Sequence, residues 1–234
     1  IWNPNMFSSL VVIAFSIHFL KYEKRTYLDY FILFTLLISA IASGSRGSLV
    51  AIILVFLLKY GFTLRNIMYG LLALGVSLVV LSINLDTSLN RFAENSIFSN
   101  RILQFEYAYL SIQNKLIIGY GLDKYAYIDK SLVPIYLKGE VIGAHNGYLA
   151  ILVQYGIIFG SVILFLIFRK SLQAYSYFKN KKSFERVYLF IILYVLIASI
   201  YESLMTGINE FSTILFWFSL SILSYSMFLK ENES

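Results

Sequence analysis

The 234-residue chain has no cysteine, two prolines and two histidines, His18 and His145. Without cysteine there are no disulfides and no thiolate metal sites. With two histidines there is no basis for a His-rich metal centre. Charge is also scarce, at 14% of residues against about 25% in an ordinary soluble domain. A soluble chain of this kind would have too few polar groups to cover its surface. Disorder is excluded too, because it needs low hydrophobicity and high charge. What the chain has in plenty is apolar sequence, 59% of residues, which reads as a protein of the lipid bilayer. Residue 1 is Ile, and no basic segment with a cleavage site precedes the first apolar run. The sequence therefore reads as the C-terminal part of a longer membrane protein.

Apolar runs fall at Met6–Leu20, Tyr27–Ser43, Ser48–Leu58, Ile67–Ile83, Gly147–Phe168, Val187–Met205 and Phe211–Leu229. They predict an all-α, polytopic fold with seven transmembrane helices. Several runs fall short of the roughly 20 residues a span needs, so their ends must borrow from the flanks. The expected organisation is four spans in residues 1–83, a large external loop in 84–146, and three spans in 147–234. No internal repeat or low-complexity tract interrupts it.

The net charge of +6 is a topology signal before it is anything else. Strict alternation of seven spans puts Lys21, Lys24, Arg25, Lys59, Arg65, Arg169, Lys170, Lys179, Lys181, Lys182, Arg186 and Lys230 on one face, 12 of the 19 cations. By the positive-inside rule that face is cytoplasmic, with the C-terminus inside and the long loop outside. In the loop, six cations are balanced by Asp86, Glu94, Glu106, Asp123, Asp129 and Glu140. The Lys179–Arg186 stretch reads as a topology determinant at anionic headgroups, not as a nucleic-acid site.

Three external features carry candidate chemistry. In Ser43-Gly-Ser-Arg-Gly-Ser48, the third helix must start before its short apolar run in order to span. That draws Arg46 toward the bilayer, where an arginine is costly and a functional candidate. The alternative is an interfacial arginine snorkelling to headgroups. Next, Ile102, Phe105, Tyr109 and Ile112 recur at helical spacing and predict an amphipathic helix from Ser99 to Asn114. Capped at Ser99 or Asn100, that helix puts Arg101 in its first turn, where a bound anion would offset the macrodipole. A surface pairing of Arg101 with Glu106 is the alternative. Gly119-Tyr-Gly121 follows, by itself no more than a tight turn. Last, His145-Asn146-Gly147-Tyr148-Leu149 begins the fifth span with Asn146 as N-cap. The macrodipole disfavours a cation beside that end, and a neutral imidazole is the form a general base requires. An interfacial structural histidine is the competing reading. His18, near a cytoplasmic helix end, is assigned no chemistry. Glu202 and Glu210 approach the outer face at the ends of the last two helices; they could orient Arg46 or His145, but hydrated helix ends are the favoured reading.

Taken together, Ser45-Arg46-Gly47, the arginine leading an external helix that closes in Gly119-Tyr-Gly121, and His145-Asn146-x-Tyr148-Leu149 with Gly156-Ile-Ile-Phe-Gly160 resemble the O-antigen ligase and polymerase superfamily of bacterial surface-polysaccharide assembly. The resemblance covers roughly residues 40–170. It implies a multi-pass glycosyltransferase of the bacterial cytoplasmic membrane that uses undecaprenyl-diphosphate-linked glycan donors without an essential metal or other cofactor. Glycan or lipid acceptors, the bilayer and polysaccharide-assembly proteins are the implied partners, and nucleic acid is not.

On that reading Arg46 and Arg101 hold the diphosphate and His145 acts on the acceptor hydroxyl. Asn146, Gly119 and Gly121 belong to the substrate-binding set. Tyr107, Tyr109, Tyr120, Tyr125, Tyr127 and Tyr136 are candidates for stacking on sugars. Polymerase is slightly favoured over ligase. A lipid-linked oligosaccharide transporter predicts broken helices or charges near the membrane middle, and a non-catalytic assembly subunit is the other alternative.

Overall fold

The computed structural model describes residues 4–21, 24–43, 45–82, 96–122, 127–137, 143–179, 181, 184–206 and 210–232. Among them the chain is all-helical, without strands. The α-helices run in order α1 Pro4–Lys21, α2 Tyr27–Ala42, α3 Arg46–Tyr60, α4 Leu64–Ser82, α5 Ser96–Asn114, α6 Gly147–Phe178, α7 Glu185–Ala198 and α8 Phe211–Asn232. Two single-turn 3-10 helices, Lys130–Leu132 and Ile135–Leu137, lie between α5 and α6. Each of the seven apolar runs begins on a helix, and α5 is the helix expected between the fourth and fifth runs. Two helices, Gly147–Phe178 and Phe211–Leu229, are long and apolar enough to cross a bilayer. Shorter apolar stretches occupy Met6–Lys21, Tyr27–Ala42 and Gly47–Tyr60.

The chain divides into two compact units, Ile1–Glu94 with Tyr175–Tyr194, and Asn95–Ala174 with Val195–Ser234. In the first, α1 packs on α2 and α3. Phe15 and Phe19 of α1 stack at 5.3 Å, and Phe19 meets Phe56 of α3 at 4.8 Å. Ring area is what such a contact removes from water or lipid, and offset pairs of this kind add about 1 kcal/mol each. Thr26 and Asp29 close a capping box at the start of α2, which satisfies two amides that begin a helix without partners. Where α2 meets α3, the single O–H of the fully buried Ser48 is shared between Ser45 O at 2.6 Å and Ala40 O at 3.0 Å. Small residues let the two backbones approach.

In the second unit, α5 and the segment after it pack on α6. The helix begins at Ser96, three residues before the expected start. Ser99 and Asn100 are therefore inside it and are not its cap. Arg101 lies in the second turn, away from the free amides proposed to share an anion with it. The buried face is also not the expected stripe: Ile102 and Tyr109 are exposed, while Tyr107, Ala108, Ser111 and Ile112 are buried. Small Ala108 and Ser111 permit the close contact, and Tyr107 packs with Ile128, Val133 and Leu137.

α6 is broken at Gly156, whose backbone (φ 71°, ψ 177°) is closed to other residues. A Cβ placed on Gly160 would lie 3.2 Å from Leu152 Cα, whereas eight residues of straight helix rise about 12 Å. The helix therefore turns sharply. The break frees backbone groups, which are costly to leave unpaired in apolar surroundings. The segment after α5 takes them up. Tyr120 N donates to Val153 O at 2.8 Å, Gly121 N to Gln154 O at 2.9 Å, and Ile157 N to Leu116 O at 2.7 Å. Gly119 (φ 70°) sits against Gly156, and a Cβ on either would strike the other segment's backbone.

Candidate functional site

α7 ends at Ala198, and Ser199–Thr206 continues in turns. The sixth apolar run ran on to Met205, so the helix stops well before the hydrophobicity does. A helix C-terminus leaves carbonyls without amide partners, and here they are accounted for one by one. Val195 O accepts from Ser199 N, Ile197 O from Ile200 N, and Ala198 O from Tyr201 N and Glu202 N. The others go to side chains and backbone from far along the chain. Tyr148 Oη donates to Leu196 O at 2.6 Å, Gly147 N to Ser199 O at 2.8 Å, Asn146 Nδ2 to Ile200 O at 2.8 Å, and an Arg101 Nη to Tyr201 O at 2.7 Å. A cation at this negative end of the helix dipole is favourable.

The start of α6 is built against this end of α7. Asn146 is the N-cap, as expected: its Oδ1 accepts from Tyr148 N and Leu149 N, both at 2.9 Å. Gly147 lies so close to Ser199 that a Cβ there would come within 2.9 Å of the serine Cβ. Just before the cap, Ala144 is fully buried against Ala108, Ile112 and Val153, and Ala144 N donates to Tyr127 Oη. Between these fixed points His145 has φ 40°, the only positive φ of a non-glycine among the described residues. Such a conformation stores backbone strain and recurs at functional sites.

One carboxylate joins the pieces. Glu202 Oε2 lies 3.4 Å from His145 Nδ1, and Glu202 Oε1 lies 3.5 Å from an Arg101 Nη. Arg101 also lies over the Tyr201 ring, 5.6 Å from its centre. The Glu202 side chain is 19% exposed and that of His145 47%. The acid is enclosed while the imidazole presents an open edge. A guanidinium has five donors in a planar fork, more than its contacts with Tyr201 O and Glu202 use. Chemically the arrangement offers a guanidinium and an imidazole beside one shared carboxylate. Among the described residues no group of three His, Cys, Asp or Glu is placed to hold a metal.

The expected site residues divide accordingly. Arg101, His145 and Asn146 come together. Glu106 is not the partner of Arg101; it accepts from Tyr136 Oη at 2.5 Å, and that bond raises the Tyr136 pKa. Gly119 and Gly121 are in the loop docked on the α6 break. Arg46 is the first residue of α3, after Ser45 as N-cap; its side chain lies outside the described residues, as does Tyr125. Tyr107 is buried and not available to sugars, and Tyr127 is partly buried against it. Their rings stack on each other at 5.5 Å, Tyr107 Oη donates to Ile128 O, and burial pushes both phenols up.

From sequence, Glu202 is a hydrated helix end by preference and an orienting acid for Arg46 or His145 as the alternative. Its low exposure and its contacts with His145 and Arg101 correct the favoured reading. Its one sequence signal is an acid inside the sixth apolar run.

A family model described as O-antigen ligase matches residues 31–165, a stretch that takes in Arg46, Arg101, His145 and the Gly156 break. No curated protein matches the chain. The family match covers more than half of the sequence and includes every block on which the resemblance rested, and the chain belongs to the O-antigen ligase family.

Proposed function

We propose that this protein is a membrane glycosyltransferase of surface-polysaccharide assembly. It transfers a glycan from an undecaprenyl-diphosphate donor at the outer face of the bacterial cytoplasmic membrane. The observation that carries the reading is the convergence of Arg101 and His145 on Glu202. Transfer from a lipid diphosphate requires a cation for the leaving group and a base for the acceptor, and both types of group meet here. Family membership supports polysaccharide assembly as the setting.

In the proposed step an acceptor hydroxyl attacks the anomeric carbon. Its proton passes to His145 Nε2, the bond from that carbon to the phosphate oxygen breaks, and the diphosphate departs with the electron pair. Attack opposite the leaving group inverts the anomeric centre. Arg101 steadies the departing charge, and Arg46 contributes to donor binding from the start of α3. Asn146 holds the turn that carries His145, and Gly119 and Gly121 shape the loop on α6. Helices α1–α4 and α6–α8 are the seven spans, with α5 outside and the C-terminus in the cytoplasm. The join between the start of α6 and the end of α7 supports placing those two ends on one side. Joining of repeat units is slightly favoured over transfer to a lipid acceptor.

The test is transfer from a defined lipid-linked glycan by the purified full chain. His145→Ala is expected to lower turnover by roughly 10²- to 10⁴-fold, and Arg101→Lys and Arg46→Lys to weaken donor binding. A folded His145→Ala protein with undiminished turnover would sink the base assignment, and donor affinity unchanged in both lysine variants would remove the clamp. A deletion strain separates the two reaction types: single repeats accumulate if a polymerase is lost, long chains on the lipid carrier if a ligase is lost.

A further inference from the structure

We propose that Glu202 is a positioning residue: it accepts a hydrogen bond from Nδ1–H of His145 and thereby holds the imidazole with Nε2 bare toward the acceptor hydroxyl. This rests on the reading of His145 as the base. Two carboxylate oxygens have two different partners, Oε2 facing His145 Nδ1 and Oε1 facing Arg101. Arg101 is itself fixed by its bond to Tyr201 O and by the Tyr201 ring. Glu202 N is bonded to Ala198 O, so the acid is held at backbone and side chain alike. Among the described residues, this acid faces the imidazole and also contacts Arg101.

The tautomer matters because a ring nitrogen that already carries hydrogen cannot take a proton. A free neutral imidazole in water prefers its hydrogen on Nε2. An acceptor at Nδ1 reverses that preference and leaves Nε2 as the basic atom. The 3.4 Å separation is long for such a bond, as catalytic hydrogen bonds often are without substrate. Glu202 lies beyond residues 31–165, outside the family match.

The experiment uses the full chain in lipid nanodiscs with ¹⁵N-labelled histidine. His18 is the only other histidine, so His18→Gln assigns the His145 signals. The wild type is expected to show Nδ1–H and a bare Nε2. Glu202→Gln should move the hydrogen toward Nε2 and lower kcat by roughly ten- to a thousandfold, less than the loss of a fully buried triad carboxylate, with no rise in donor KM. Glu202→Asp, which keeps the charge, should retain Nδ1–H and lie closer to wild type in kcat.

An Nε2–H tautomer in the wild type overturns the proposal even if neither variant folds. So does a Glu202→Gln protein with wild-type tautomer and kcat. The tautomer is read without any transfer reaction. An inactive wild type with a Glu202-dependent tautomer would therefore reject the glycosyltransferase reading and leave the positioning contact intact.

Discussion

The two compact units use their polar side chains differently. In the first, most described side-chain hydrogen bonds are local: Ser16 to Ile13 O, Ser43 to Ala40 O, Thr35 to Phe31 O. Ser9 with Tyr194 is a long-range exception. Tertiary structure there comes from ring and aliphatic packing. In the second, polar groups join positions 48 to 100 residues apart, through Tyr148, Asn146, His145 and Arg101. Local bonds satisfy a helix without specifying what lies beside it. Long-range polar bonds fix one arrangement, because each costs its full desolvation penalty when misplaced. The unit with the candidate site is the one held in register this way.

The contrast is broken most severely at the α6 turn. Gly156→Ala puts a Cβ into the Ile117 backbone at a glycine-only conformation. A loss of about 3 kcal/mol or more is expected, enough that little folded protein should survive a thermal scan in detergent. Asn146→Ala removes two capping bonds and the bond to Ile200 O. It should cost about 2 kcal/mol, seen as a lower midpoint in the same scan. Ser16→Ala in the first unit removes one bond to a carbonyl of its own helix. It should fall within about 0.5 kcal/mol of wild type. A Ser16→Ala loss as large as that of Asn146→Ala would abolish the distinction between the units.

What could be read from the sequence follows the same division. The seven apolar helices were legible because burial is written in local composition. The Asn146 cap was legible because it concerns three adjacent residues. The phase of α5 was not: Ile102 and Tyr109 carry the apolar periodicity, yet Ala108 and Ser111 permit the closest approach. Its start was missed as well, since Phe98 continues the spacing of Ile102 and Phe105 upstream of the supposed cap. Glu202 was legible only as a secondary candidate, because its partners are 57 and 101 residues away and no local pattern selects it. Gly156 was noticed as a motif residue, while the turn it makes depends on a loop some 35 residues earlier.

That turn has a dynamic consequence. It leaves Gly147–Tyr155 as a nine-residue helix, shorter than the 12 to 15 residues at which isolated helices become even marginally stable. The piece persists because both ends are tied, by Asn146 at its start and by Tyr120 and Gly121 at its end. Its amides and those of the docked loop should therefore exchange with solvent as one cooperative unit. His145, at the head of that unit, is therefore held by the docked loop as well as by the end of α7.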